Sequence, residues 1–66
     1  MLQQLGAKIK ALRNSKGLTQ AQLAHSINKD QQSIQRLENG GVNPSFLYLL
    51  EIAKGLQVQL SVLLAD

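Results

Sequence analysis

The sequence contains no cysteine. No disulfide can staple the fold, and no thiolate can serve as nucleophile or metal ligand. There is a single histidine, His25, and one histidine cannot build a zinc site. We therefore expect no metal, no other cofactor and no small-molecule ligand. Phe46 and Tyr48 are the only aromatic side chains, so the stacking platform of a single-strand RNA binder is missing. No apolar run approaches the roughly 18 residues that span a bilayer. The opening Met1-Leu2-Gln3-Gln4-Leu5-Gly6 lacks the charged leader and apolar stretch of a signal peptide. A soluble, cytoplasmic protein without a membrane partner is expected. The four acids are scattered, the only histidine has no thiol partner, and no glycine-rich phosphate loop occurs. An enzyme is not expected.

What remains is a chain of 66 residues, enough for one domain. A domain of this size buries only about 60% of the surface its unfolded form exposes. Helical packing, within the chain or completed by a partner chain, must supply its stability. The net charge is +3 and it is segregated. Residues 1–29 hold Lys8, Lys10, Arg13, Lys16 and Lys29 without an acid. Residues 30–66 hold Arg36 and Lys54 against Asp30, Glu38, Glu51 and Asp66. A basic half suits a polyanion such as nucleic acid. On charge alone, a solvated helix face explains it equally well.

Periodicity places the helices. Leu5, Ile9 and Leu12 form one amphipathic stripe, which Gly17 can close in the left-handed conformation. Thr19 and Gln22 have the spacing of a capping box, and Leu18 and Leu23 that of a hydrophobic staple. A second helix follows, with Leu23, Ala24 and Ile27 inward. Asn28-Lys29-Asp30 interrupts the pattern, with Asn28 tolerant of the left-handed region and Asp30 suited to cap a third helix. That helix buries Ile34 and Leu37 and stops at Asn39-Gly40-Gly41. Pro44 keeps Asn43 extended. Ser45 caps a fourth helix that turns Leu49, Ile52, Ala53 and Leu56 inward. The tail from Val58 to Leu64 reads two ways, as an alternating strand or as a helical turn. With no other strand to pair with inside the chain, a short helix is the better expectation. A strand pairing across a dimer is the alternative.

Two short helices joined by a three-residue turn make a helix-turn-helix unit, here about residues 19–39. The motifs Leu5-Gly6, Leu12-Arg13, Gly17-Leu18-Thr19-Gln20, Leu23-Ala24, Leu37-Glu38-Asn39-Gly40 and Asn43-Pro44-Ser45 occur in order. With them, the chain resembles the Cro/CI-type (XRE-like) helix-turn-helix family from about Leu5 to Leu64. The stretch from Asp30 to Gly40 is similar to the recognition helices of its phage repressors. The resemblance implies an all-α, five-helix, lambda-repressor-like domain over residues 1–66. It also implies binding of double-stranded DNA, usually as a dimer, and favours a helix for the tail. Four positions depart from the family pattern. Asn28 and Gln57 stand where glycine is common, Lys29 where an apolar residue is usual, and Gln59 where a cap is usual.

On this reading the recognition helix runs from about Gln31 to Glu38 and enters the major groove. Gln31 and Gln32 suit adenine, and Arg36 suits guanine or a phosphate. Ser33 is small enough to touch a thymine methyl or the backbone. Gln20, at the start of the second helix, matches the family's phosphate contact. Lys10, Lys29, Gln35, Asn39 and Gly41 are further phosphate candidates, the last two through backbone N–H groups. Lys29 can also pack its stem while its ammonium reaches solvent or phosphate. The family pairs the positions of Arg13 and Glu38 in a structural ion pair. Phe46, Val58, Leu60 and Val62 look surplus to a small core and are expected at a homodimer interface. Tyr48 is placed with them. His25 is read as surface. The leading reading is a transcriptional regulator. A partner-binding protein of the same fold, such as an antitoxin that also binds its own promoter, is the alternative, and the chain could also be one domain of a longer regulator.

Overall fold

The computed structural model describes residues 1–65. Five helices follow one another: α1 (Leu2–Ser15), α2 (Gln20–Ser26), α3 (Gln31–Glu38), α4 (Phe46–Leu56) and α5 (Leu60–Leu64). There is no strand among the described residues.

Three of the helices start where a side chain can satisfy their free N–H groups. Thr19 accepts from the Gln22 amide at 3.0 Å, and Gln22 Oε1 accepts from the Thr19 amide at 2.8 Å, completing the capping box. Asp30 Oδ1 accepts from the Ser33 amide at 2.8 Å, and Ser45 Oγ from the Tyr48 amide at 3.0 Å. Gln59, at the start of α5, makes no such bond.

The first four helices also end alike. Each is followed by a left-handed residue: Gly17, Asn28, Gly40 and Gln57, with φ of 73°, 61°, 76° and 60°. Beyond each one the next amide reaches back to a helix carbonyl: Leu18 to Arg13, Lys29 to Ala24, Gly41 to Arg36 and Val58 to Ala53. These are Schellman closures, which occupy carbonyls that the helix end would otherwise leave free.

Ile9, Leu23, Ile34, Leu37, Ile52 and Leu56 fill the centre and are all but inaccessible to water. Helix α3 packs on α2 and α1, α4 on α2 and α5, and α5 also on α1. The tail is the short helix, because α5 has a core position to fill: Leu63 is buried and Leu60 packs partly against the core. A strand across a dimer is not needed to cover it. Val58 and Leu60, expected as surplus, are likewise partly buried against the core, while Phe46 and Val62 are exposed.

Glycine marks a close helix approach. Gly6 is buried where α1 crosses the end of α3. A Cβ there would strike the Glu38 carbonyl oxygen and lie 2.6 Å from that of Leu37. Only a hydrogen lets the two backbones come this close.

Candidate nucleic-acid interface

Helix α3 divides cleanly. Ile34, Leu37 and Glu38 are buried, whereas Gln31, Gln32, Gln35 and Arg36 are exposed. At about 100° per residue, Gln32 and Arg36 stand opposite the buried face. They are four apart, so they lie one above the other on the same side. Gln31 and Gln35 form a second pair beside them, and the half-buried Ser33 lies at the other margin. Glu38, the helix's single acid, is turned inward. The outer face is thus made of amides and one guanidinium.

Beneath it is a buried polar cluster. Arg13 Nε donates to Glu38 Oε2 at 2.7 Å and Nη2 donates to Oε1 at 3.1 Å. Arg13 Nη1 donates to the Leu18 carbonyl at 2.8 Å and to Asn14 Oδ1 at 3.2 Å. Gln20 Nε2 gives the Glu38 carboxylate a third donor, to Oε1 at 3.0 Å. The hydrogen bond to Glu38 raises the guanidinium above its ordinary value, against the effect of burial. One carboxylate therefore ties α3 to α1 and α2, with its acceptor capacity used by geometrically good partners.

The N-cap Asp30 is exposed and held below the usual aspartate value by the Ser33 amide it accepts from. On α4, burial raises the Tyr48 phenol, whose oxygen is enclosed without a hydrogen-bond partner. The Lys29 ammonium lies 5.4 Å from the centre of the Tyr48 ring.

The remaining candidates divide. Lys10 and Lys29 are exposed. The Gln20 amide faces inward to Glu38, not freely outward. The backbone N–H groups of Asn39 and Gly41, expected to be offered to a ligand, are already spent: they donate to Gln35 at 3.1 Å and to Arg36 at 2.9 Å. The last helical turn of α3 takes the Asn39 donor and its Schellman closure takes that of Gly41. The Asn39 side chain is exposed. Tyr48, expected beside Phe46, is half-buried under Lys29, whereas Phe46 is exposed. His25 is on the surface.

Sequence reasoning missed three features: the seat of Gly6 against α3, the Gln20–Glu38 bond and the Lys29–Tyr48 contact. None has a local signature. It also passed over Leu47 and Leu64, which are exposed at 67% and 57%, alongside Phe46 at 64%. Among the described residues there is no cluster able to hold a metal ion, and no helix is long and apolar enough to cross a membrane.

A family model described as "Helix-turn-helix" matches residues 9–63. The immunity repressor protein of Bacillus phage phi105 is 34% identical over 62 residues, which cover 94% of this chain and 43% of that protein. The chain therefore spans less than half of that relative's length. The restriction-modification controller protein C.AhdI from Aeromonas hydrophila superimposes with a TM-score of 0.91 at 31% identity, over 94% of this chain and 90% of that one. The clp gene regulator ClgR from C. glutamicum gives 0.90 at 26% identity, over 97% and 84%.

Proposed function

The chain belongs to the helix-turn-helix family, and from that premise we propose that it is a transcriptional regulator that reads double-stranded DNA with α3 in the major groove. The observation that carries this reading is the outer face of α3. Gln31, Gln32, Gln35 and Arg36 are exposed there, and the helix's single acid is buried and paired with Arg13. None of these four side chains is anionic, and the exposed carboxylate at the start of the helix, Asp30, accepts from the Ser33 amide. Glutamine can bond adenine through N6 and N7, and arginine can bond guanine through O6 and N7. We assign base contacts to Gln31, Gln32 and Arg36, with Ser33 at the margin of the same surface. Lys10, Gln35, the Asn39 side chain and the start of α2 at Gln20 are assigned to phosphates, which set register without specifying sequence.

The working unit in this reading is a symmetric homodimer, with half-site centres about 34–36 Å apart. Phe46, Leu47, Val62 and Leu64 support it, since large apolar side chains held in water favour an interface. A groove of about 700 Å³, lined by Leu2, Leu5, Pro44, Leu63 and Leu64 among others, supplies concave apolar surface as well.

Selection of random duplex DNA by the purified protein, repeated with Gln32→Ala, tests the proposal. A two-fold symmetric site should be enriched. The substitution should weaken binding by roughly 1–3 kcal/mol and relax preference at one base pair. Unchanged affinity and preference would remove α3 from the interface. Failure of the folded wild-type protein to enrich any site would transfer the weight to a protein partner.

A further inference from the structure

Lys29 occupies the turn between α2 and α3. Its backbone is fixed from α2, because its amide donates to the Ala24 carbonyl at 2.8 Å. On one side stands Asn28, left-handed at φ 61°; on the other stands Asp30, whose carboxylate caps α3. Its side chain runs to a different element. The ammonium lies 5.4 Å from the centre of the Tyr48 ring on α4, within the ~6 Å over which a ring face attracts a cation. Among the described residues the only ion pair is Arg13–Glu38, so no carboxylate competes for this ammonium at contact distance.

Helix α3 has its main packing on α1 and α2. Helix α4 packs on α2, and a tie from the turn to α4 connects the entry of α3 to a third helix. The state of Tyr48 agrees. Its hydroxyl is buried without a partner, so no hydrogen bond from that oxygen holds the ring, and the contact with Lys29 is made by the ring alone. We propose that Lys29 is a positioning residue and not a phosphate ligand: its ammonium, held over Tyr48, fastens the turn to α4 and fixes how α3 projects.

This inference rests on the reading of α3 as the recognition helix. Lys29→Met keeps the stem and removes the charge. Tyr48→Leu removes the ring, and Tyr48→Phe keeps it while deleting the stranded hydroxyl. In the free wild-type protein the Lys29 ε-methylene protons should be shifted upfield by the ring. The shift should vanish in Tyr48→Leu, persist in Tyr48→Phe, and persist when the selected duplex is bound. Lys29→Met and Tyr48→Leu should each weaken binding about two- to five-fold, as expected for an exposed cation–π contact. The double variant should be no weaker than the single ones, and Tyr48→Phe should bind as wild type. The dependence of log Kd on log salt should be unchanged in Lys29→Met.

A salt slope flattened by about one unit in Lys29→Met would make Lys29 a phosphate ligand and overturn the proposal. So would loss of the upfield shift in the complex, or additive losses in the double variant. A wild-type protein that selects no duplex overturns the DNA-binding reading instead. That result is separate from the ring shift, which is read on the free protein.

Discussion

Replacing Arg13 by methionine removes a guanidinium that makes four hydrogen bonds: two to Glu38, one to the Leu18 carbonyl and one to Asn14. The stem volume is largely kept, so the change isolates the charge. The Glu38 side chain is 1% exposed. After the substitution its carboxylate retains only the Gln20 amide as a donor. A buried charge left without its partner costs about 3–5 kcal/mol. A 66-residue domain has in total only about 3–10 kcal/mol of stability. Arg13→Met should therefore leave the protein barely folded at 25 °C. The double variant Arg13→Met/Glu38→Leu tests the cause. It removes both charges and leaves the Leu18 carbonyl and the Gln20 amide to find water, at about 1 kcal/mol each. It should recover most of the stability lost in the single variant. Urea unfolding followed by circular dichroism, at low and at high salt, reads the wild type, Arg13→Met, Glu38→Leu and the double variant. Salt should change little, because a buried pair is poorly screened. A loss below 1 kcal/mol in Arg13→Met, or a double variant as unstable as the sum of the two single ones, would refute the stranded-charge argument.

Three further predictions follow from the backbone and the caps. Gln57 holds φ 60° after α4. Glycine there should relieve roughly 1–2 kcal/mol of left-handed strain and return part of it as unfolded-state entropy, so thermal unfolding of Gln57→Gly should show a net gain of about 0.5–1 kcal/mol. Gly6→Ala should push α1 away from the Leu37 and Glu38 carbonyls and cost about 1–3 kcal/mol by overpacking; an unaltered denaturation midpoint would contradict the close seat. Asp30 has a lowered pKa because its carboxylate accepts from the Ser33 amide, so its contribution is complete above the unfolded value near 4 and is lost as pH falls through the lower folded value. Acid titration of Asp30→Asn should accordingly show a shallower loss of stability below about pH 4 than the wild type.

Much of the fold was legible in the sequence because it is written in short-range chemistry. Thr19, Asp30 and Ser45 each bond an amide three residues on, and such a pattern can be read from adjacent letters. The left-handed stops at Gly17, Asn28 and Gly40 are equally local. The buried stripe of α3, and with it the outward face carrying Gln32 and Arg36, follows from helical period alone. The ion pair of Arg13 with Glu38 was a different matter. Its members are 25 residues apart, and only resemblance to a family brought them together.

The tertiary structure decided where each donor goes. It turned the Gln20 amide inward to Glu38, used the Asn39 and Gly41 amides to close α3, and laid Lys29 over Tyr48 instead of leaving it free. It also drew Val58 and Leu60 toward the core and left Leu47 and Leu64 in water. The sequence by itself determined where α2, α3 and α4 start and the face that α3 presents, since each depends on neighbours within a turn or two, whereas it left the tail open between strand and helix. The contacts between helices depend on how the axes cross. That crossing is set by residues far apart in sequence, such as Gly6 against the end of α3, meeting in one packed core.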